Sequence, residues 1–326
     1  MQAASVKRLT NLDMIRVFAA LSVAMFHYTV QYPEFSGQEN LFPFIWYSGT
    51  IHLFFIISGF VILLSCSRTT PLNFIKKRFI AIYPPLLICC TITAIILLFS
   101  TRIISDVSLI NYFYNITLIS NFTYKPLIEG AYWTLSYEIG FYIFMALSFK
   151  LFFQRILWVL PLYLMAGSFL YYLFSAYIPN PLHLFMMMHN YSHLFAYGMI
   201  CYLWHQNGFK TYYLAFLPSI FGLHYLHHGL DSAYIVLFCA IIFPALIFFP
   251  FPETRLKIFL CRLGGYSYIF YLLHQMIGFV IIAELSHWGL YPMVILLSTF
   301  ILIGAISFVI KHIALKAQNY LKEFLI

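Results

Sequence analysis

Arg16 and His27 stand eleven residues apart in the apolar run NLDMIRVFAALSVAMFHYTV, residues 11–30. On an α-helix that spacing is three turns plus about 20°, so both side chains share one face, about 16 Å apart along the axis. Asp13, three residues before Arg16, can pair with it there. A charge at mid-bilayer costs about 2.5–3.5 kcal/mol on insertion scales, so such groups pair or work. The spacing suits two readings. One is a working arginine and histidine. The other is an arginine snorkelling to headgroups with His27 as a hydrogen-bonded core residue.

Four further segments carry polar chemistry. HLFFIISGF (52–60) places Ser58 before Gly59. The pair permits close helix approach, and the Ser58 hydroxyl can equally bond back to its own helix. KKRFIAIYPP (76–85) gathers Lys76, Lys77 and Arg78. They read either as topology charge or as an anion clamp for a phosphate-bearing cofactor. Pro84 and Pro85 are expected to break the start of that helix. YWTLSYEIGFYIF (132–144) holds Trp133, a natural interface aromatic, and Glu138, a carboxylate that needs a partner inside an apolar helix. GGYSYIFYLLHQ (264–275) turns tightly at Gly264 and Gly265, with His274 about 13–15 Å further along its helix.

The elements that position these groups follow from composition. The chain has 326 residues, 63% hydrophobic and only 9% charged, too few charges to cover a soluble surface. One all-α polytopic membrane domain over 1–326 is expected. Its spans fall near 12–32, 44–64, 79–99, 131–153, 156–177, 185–204, 211–228, 233–250, 265–284 and 292–315. Starting in the cytoplasm puts Lys7, Arg8, Arg68, Lys76, Lys77, Arg78, Lys150, Arg155, Lys210, Arg255, Lys257, Arg262, Lys311, Lys316 and Lys322 inside. Arg102 and Lys125 fall outside, and Arg16 lies within the first span. So lopsided a division fixes both termini in the cytoplasm. It also explains the net charge of +8 without nucleic acid. Segment 103–123 is read as lying on the outer face, because a crossing there would spoil the division. The first apolar run carries Asp13 and Arg16, unlike a signal-peptide core. The six cysteines lack metal-ligand spacing and read as small buried hydrophobes.

Taken in order, the motifs resemble the acyltransferase-3 family of membrane acyltransferases, whose bacterial members O-acetylate sugars of surface polysaccharides. LDMIRVFAALSVAMFH resembles the family's opening motif, with its Arg-x10-His spacing met by Arg16 and His27. HLFFIISGF is similar to FFxxSGF, KKRFIAIYP to a basic segment ending in proline, YWTLSYEIGFY to W-[ST]-L-x-x-E-x-x-FY, and GGYSYIFYLLH to SYSIYLLH. The likeness runs from residue 9 to about 280. The stretch ISFVIKHIALKAQ departs from it, carrying Lys311 and His312 where members often have an acid and a proline.

The resemblance implies transfer of an acyl group, usually acetyl, from acetyl-CoA to a hydroxyl on a carbohydrate acceptor in the bacterial inner membrane, without a metal. It makes His27 the general base. Arg16 would hold the donor or the neighbouring carboxylate Asp13. Arg78, with Lys76 and Lys77, would grip the CoA phosphates beside Ser58. Glu138 would orient His27 or bind the acceptor. Ser58 and Trp133 are candidates for steadying the tetrahedral intermediate, with Trp133 and His274 on the substrate side. Without these motifs, the buried charges would instead suit an ion-coupled transporter or a lipid-linked-sugar flippase. Oligomeric state is not legible.

Overall fold

The computed structural model describes residues 10–37, 39–46, 49–66, 69–103, 105–152, 159–178, 187–208, 210–249 and 252–325, and among them every regular element is helical. The first apolar run forms α1 (Thr10–Phe26), passes through one π turn (His27–Gln31), and continues as α2 (Tyr32–Ser36). α3 is Ile51–Cys66 and α4 is Pro71–Phe99. The short α5 (Leu109–Ile116) precedes α6 (Trp133–Phe152) and α7 (Val159–Phe174). Then follow α8 (Ser192–Asn207), α9 (Phe216–Phe248), α10 (Arg255–Gly264), α11 (Ser267–His287) and α12 (Pro292–Leu325).

Among the described residues, six helical runs are long and apolar enough to cross a membrane: Asn11–Ser36, Pro71–Phe99, Val159–Tyr177, Thr211–Phe248, Ser267–His287 and Pro292–Leu325. α3 is apolar but shorter. The expected spans 211–228 and 233–250 are two arms of α9, broken at Gly229 (φ 80°, ψ 176°). Residues 47–48, 153, 156–158, 185–186 and 250 of the expected spans lie outside the described residues. The eight residues of α5, the only α-helix among the described residues of 103–123, cover about 12 Å, too little to cross a bilayer.

The prolines are a correction. Pro84 and Pro85 do not break α4, which runs through both. Pro85 has no N–H for the carbonyl of Ala81, four residues back. That carbonyl accepts instead from Gln318 Nε2 at 3.0 Å, and the next, Ile82, accepts from the Tyr268 hydroxyl at 3.3 Å. Pro84 likewise removes the bond to the Ile80 carbonyl; Gln318 replaces the one lost at Ala81, and packing against α11 and α12 carries the helix through both prolines.

Two apolar cores hold the bundle. One joins α1, α4, α11 and α12; the other is built mainly from α3, α6, α7, α8 and α9. In the second, α3 and α8 approach closely. A Cβ on Gly59 would strike the Phe195 carbonyl, and one on Gly198 would strike the Ile56 carbonyl. Each helix needs its glycine, the small-residue packing that Ser58-Gly59 leads one to expect. Cys66, Cys89, Cys90, Cys201 and Cys239 are free thiols and buried, as small hydrophobes would be.

Candidate active site

α1 and α11 run side by side and carry two polar clusters in succession. The first surrounds a cavity of about 410 Å³ lined by Asp13, Arg16, Ser58, Arg78, Glu138 and Tyr142, with the α10–α11 corner at Gly264 and Gly265 as one wall. A Cβ on Gly264 would strike the backbone carbonyl and Cβ of Asp13, so this corner can pack on α1 only as glycine. Arg16 Nη1 lies 3.7 Å from Asp13 Oδ1. Glu138 accepts from Ser58 Oγ at 2.5 Å and from the Tyr142 hydroxyl at 2.8 Å. Arg78 Nη2 donates to Ser65 Oγ at 2.5 Å, and its guanidinium lies over the rings of Phe74 and Tyr142 at 5.5 and 5.7 Å. Two guanidinium groups on one concave wall suit an anion such as phosphate, which arginine binds through planar paired donors.

The inner end of the cavity closes on Phe54, Thr134 and Tyr271. The Tyr271 hydroxyl meets Thr134 Oγ1 at 2.8 Å and donates to the Ala131 carbonyl at 3.0 Å. With Val23 and Ala131, Tyr271 forms a small buried layer packed by Ile51 and Phe54.

Past that layer lies the second cluster. His27 meets His274 edge to face, ring centroids 5.0 Å apart, and both are buried. His274 Nδ1–H donates to its own helix at the Tyr271 carbonyl (2.7 Å), so the neutral ring keeps its lone pair on Nε2. The π turn begins at His27, and widened turns of this kind are frequent at functional sites. It sets Gln31 to hydrogen-bond the His27 ring and to accept from Gln275 Nε2 at 3.3 Å. Tyr28, beside His27, donates to the His274 carbonyl at 2.8 Å. Gly278 makes room for the Tyr28 ring against α11.

Glu129 is a site residue that the sequence reading passes over. It sits before α6, where a carboxylate is expected to be solvated, yet it is fully buried. Its Oε1 accepts from the backbone N–H groups of Gln275 (2.9 Å) and Met276 (3.1 Å), and Oε2 also accepts from Met276 (3.2 Å). It therefore grips α11 immediately after His274. Asn115 anchors the approach to it, donating to the Pro126 carbonyl at 2.9 Å and accepting from the Ile128 N–H at 3.0 Å. The one available signal is the apolar flanking in PLIEGAYW, unusual around a solvated glutamate.

The structure thus gathers Asp13, Arg16, Ser58, Arg78 and Glu138 at one cavity and pairs His27 with His274 beyond it. Three expected site residues fall elsewhere. Lys76 Nζ caps the end of α12 at the Leu325 carbonyl (2.8 Å), where a cation offsets the helix dipole. Lys77 is exposed and does not line the cavity, since neighbouring helical residues point about 100° apart. Trp133 packs among Phe55, Tyr137 and Tyr191. Glu138 takes its hydrogen bonds from Ser58 and Tyr142, on the Arg16 and Arg78 side of the Tyr271 layer. Lys311 donates to the Gly265 carbonyl and lies 4.5 Å from the centroid of the Tyr266 ring, bracing the glycine corner.

The apolar helices are those of an integral membrane protein, with a charge-lined cavity at one end of α1 and α11. The family model described as an acyltransferase domain matches residues 9–312, and the chain belongs to this acyltransferase-3 family. No curated protein and no solved structure matches the chain.

Proposed function

We propose that this membrane acyltransferase moves an acetyl group from cytoplasmic acetyl-CoA to a sugar hydroxyl of a surface polysaccharide or lipid-linked glycan. The bundle then sits in a bacterial inner membrane with about ten crossings and both termini in the cytoplasm. The basic residues named above argue for that orientation. The observation that carries the reading is the succession along α1 and α11: an arginine-lined cavity at the Asp13 and Gly264 end, then a buried histidine pair.

In this reading Arg78 and Arg16 hold the CoA phosphates at the cavity mouth. The pantetheine arm points toward Tyr271, and the thioester reaches His27 when the Tyr271 and Phe54 layer yields. His27 takes the proton of the attacking hydroxyl. The new O–C bond forms as the C–S bond breaks, and the proton passes from His27 to the departing thiolate, leaving CoA as the thiol. Glu138 balances the two arginines, and its bonds to Ser58 and Tyr142 hold that wall in place. Membranes carrying the protein, incubated with radiolabelled acetyl-CoA, should yield alkali-labile label in glycan. Bound acetyl-CoA with no glycan labelling would contradict the reading.

A further inference from the structure

The histidine pair and the glutamine beside it have unused hydrogen-bonding capacity. Buried side-chain polar atoms are nearly always bonded, and exceptions call for a reason. Three occur in this linked group: His27 Nδ1, His274 Nε2 and Gln275 Oε1 have no hydrogen-bond partner among the described residues. They belong to side chains already tied to one another, His27 to His274 through their rings, His27 to Gln31, and Gln31 to Gln275. His274 Nε2 is an acceptor because Nδ1 carries the proton. Gln275 Oε1 is an acceptor because the amide nitrogen faces Gln31 Oε1. Glu129, through the backbone of Gln275 and Met276, holds this part of α11. A Cβ on Gly130 would strike the Gln275 amide, so Gly130 leaves it the space it occupies.

A cluster of acceptors without donors is complementary to a ligand that brings hydroxyl hydrogens. Three acceptors on side chains linked through the ring contact and Gln31 suit a ligand with more than one hydroxyl. Among the described residues no Lys or Arg bonds these three side chains, and the guanidinium groups of Arg16 and Arg78 line the cavity on the other side of Tyr271, so the cluster suits an uncharged ligand. We propose that Gln275, with His27 and His274, forms a subsite for an uncharged vicinal diol. The hydroxyl to be acylated donates to His27, and its neighbour donates to Gln275 Oε1. This rests on the acyl-transfer reading above and names the acceptor chemistry that goes with it.

The test uses the full-length protein in lipid nanodiscs with radiolabelled acetyl-CoA and two probe alcohols, trans-cyclohexane-1,2-diol and cyclohexanol. The expected result is a preference for the diol of about tenfold or more in ester formation, the worth of one hydrogen bond to a buried acceptor. Gln275→Met should abolish the preference while acetyl-CoA binding is retained. Gly130→Ala, which displaces the amide without removing it, should reduce the preference in the same direction. Equal use of the two alcohols by the unsubstituted protein, or a preference that survives Gln275→Met, would overturn the subsite. So would transfer to neither alcohol by protein that still labels native membrane glycan. Failure to label that glycan as well would overturn the acyl-transfer reading beneath it.

Discussion

His27 and His274, 247 residues apart in sequence, lie with ring centroids 5.0 Å apart, edge to face, each with one ring nitrogen lacking a partner among the described residues. The contact joins the π turn after α1 to the middle of α11. It places a second imidazole beside the one that the Arg-x10-His spacing picks out, at the far side of Tyr271 from the arginine-lined cavity.

Replacing His27 by alanine should lower transfer by about 10²–10⁴-fold, the range for removing a general base. Acetyl-CoA binding and membrane insertion should persist, because Arg16 and Arg78 lie at the other cluster. The comparison is label incorporation against acetyl-CoA binding on the same membranes.

Arg78→Ala should weaken acetyl-CoA binding by about tenfold or more, given about 1.5–3 kcal/mol for a hydrogen bond to a charged group. Arg78→Lys should restore part of it, since an ammonium keeps the charge but loses the planar fork. Lys77→Ala, on an exposed side chain outside the cavity, should leave affinity near its original value. An unchanged dissociation constant in Arg78→Ala removes that residue from the clamp.

Glu129 gives a sharper split. Oε1 alone accepts from both Gln275 and Met276, so Glu129→Gln keeps an acceptor for each amide. Glu129→Ala leaves both without it, at about 1–3 kcal/mol for each buried group left unmatched. Glu129→Gln should stay within a few-fold of the original kcat by this argument, and Glu129→Ala should lose roughly tenfold or more. The KM for acetyl-CoA should not move in either. Equal losses in the two variants would mean that the carboxylate acts through its charge.

What the sequence disclosed and what it concealed divide along a physical line. Arg16 and His27 were legible together because one helix carries both, and helical period fixes their relative direction. Glu138 could be seen to need partners, but Ser58 is 80 residues away and only the packing of α3 on α6 supplies it. Glu129 escaped notice because its burial depends on α11, whose contact with it spans 146 residues. Lys76, Lys77 and Arg78 look alike as a charge run; helical rotation sends them to a helix end, to the surface and to the cavity. Pro84 and Pro85 mislead because local propensity is overridden by α11 and α12 packed on α4, with Gln318 bonding the carbonyl that Pro85 leaves open.

The α3–α8 crossing predicts a stability effect separate from chemistry. Gly59→Leu should lower the unfolding temperature in detergent, since overpacking a tight contact costs about 1–3 kcal/mol. Gly222→Ala in α9, with open space at its Cβ, should leave it unchanged or raise it slightly. Similar behaviour of the two variants would contradict the close crossing.

Direct transfer from thioester to hydroxyl predicts no acylated protein. Rapid quenching with labelled acetyl-CoA and no acceptor should leave the chain unlabelled. Label trapped on the protein at His27 would replace direct attack with an acyl-histidine route.

The most direct measurement compares acetyl transfer to membrane glycan by the original protein and by His27→Ala at equal membrane content, with labelled acetyl-CoA and mass spectrometry of the glycan. The account predicts O-acetyl esters with the original protein and their loss with His27→Ala, while both bind acetyl-CoA. Undiminished esters from His27→Ala would contradict it.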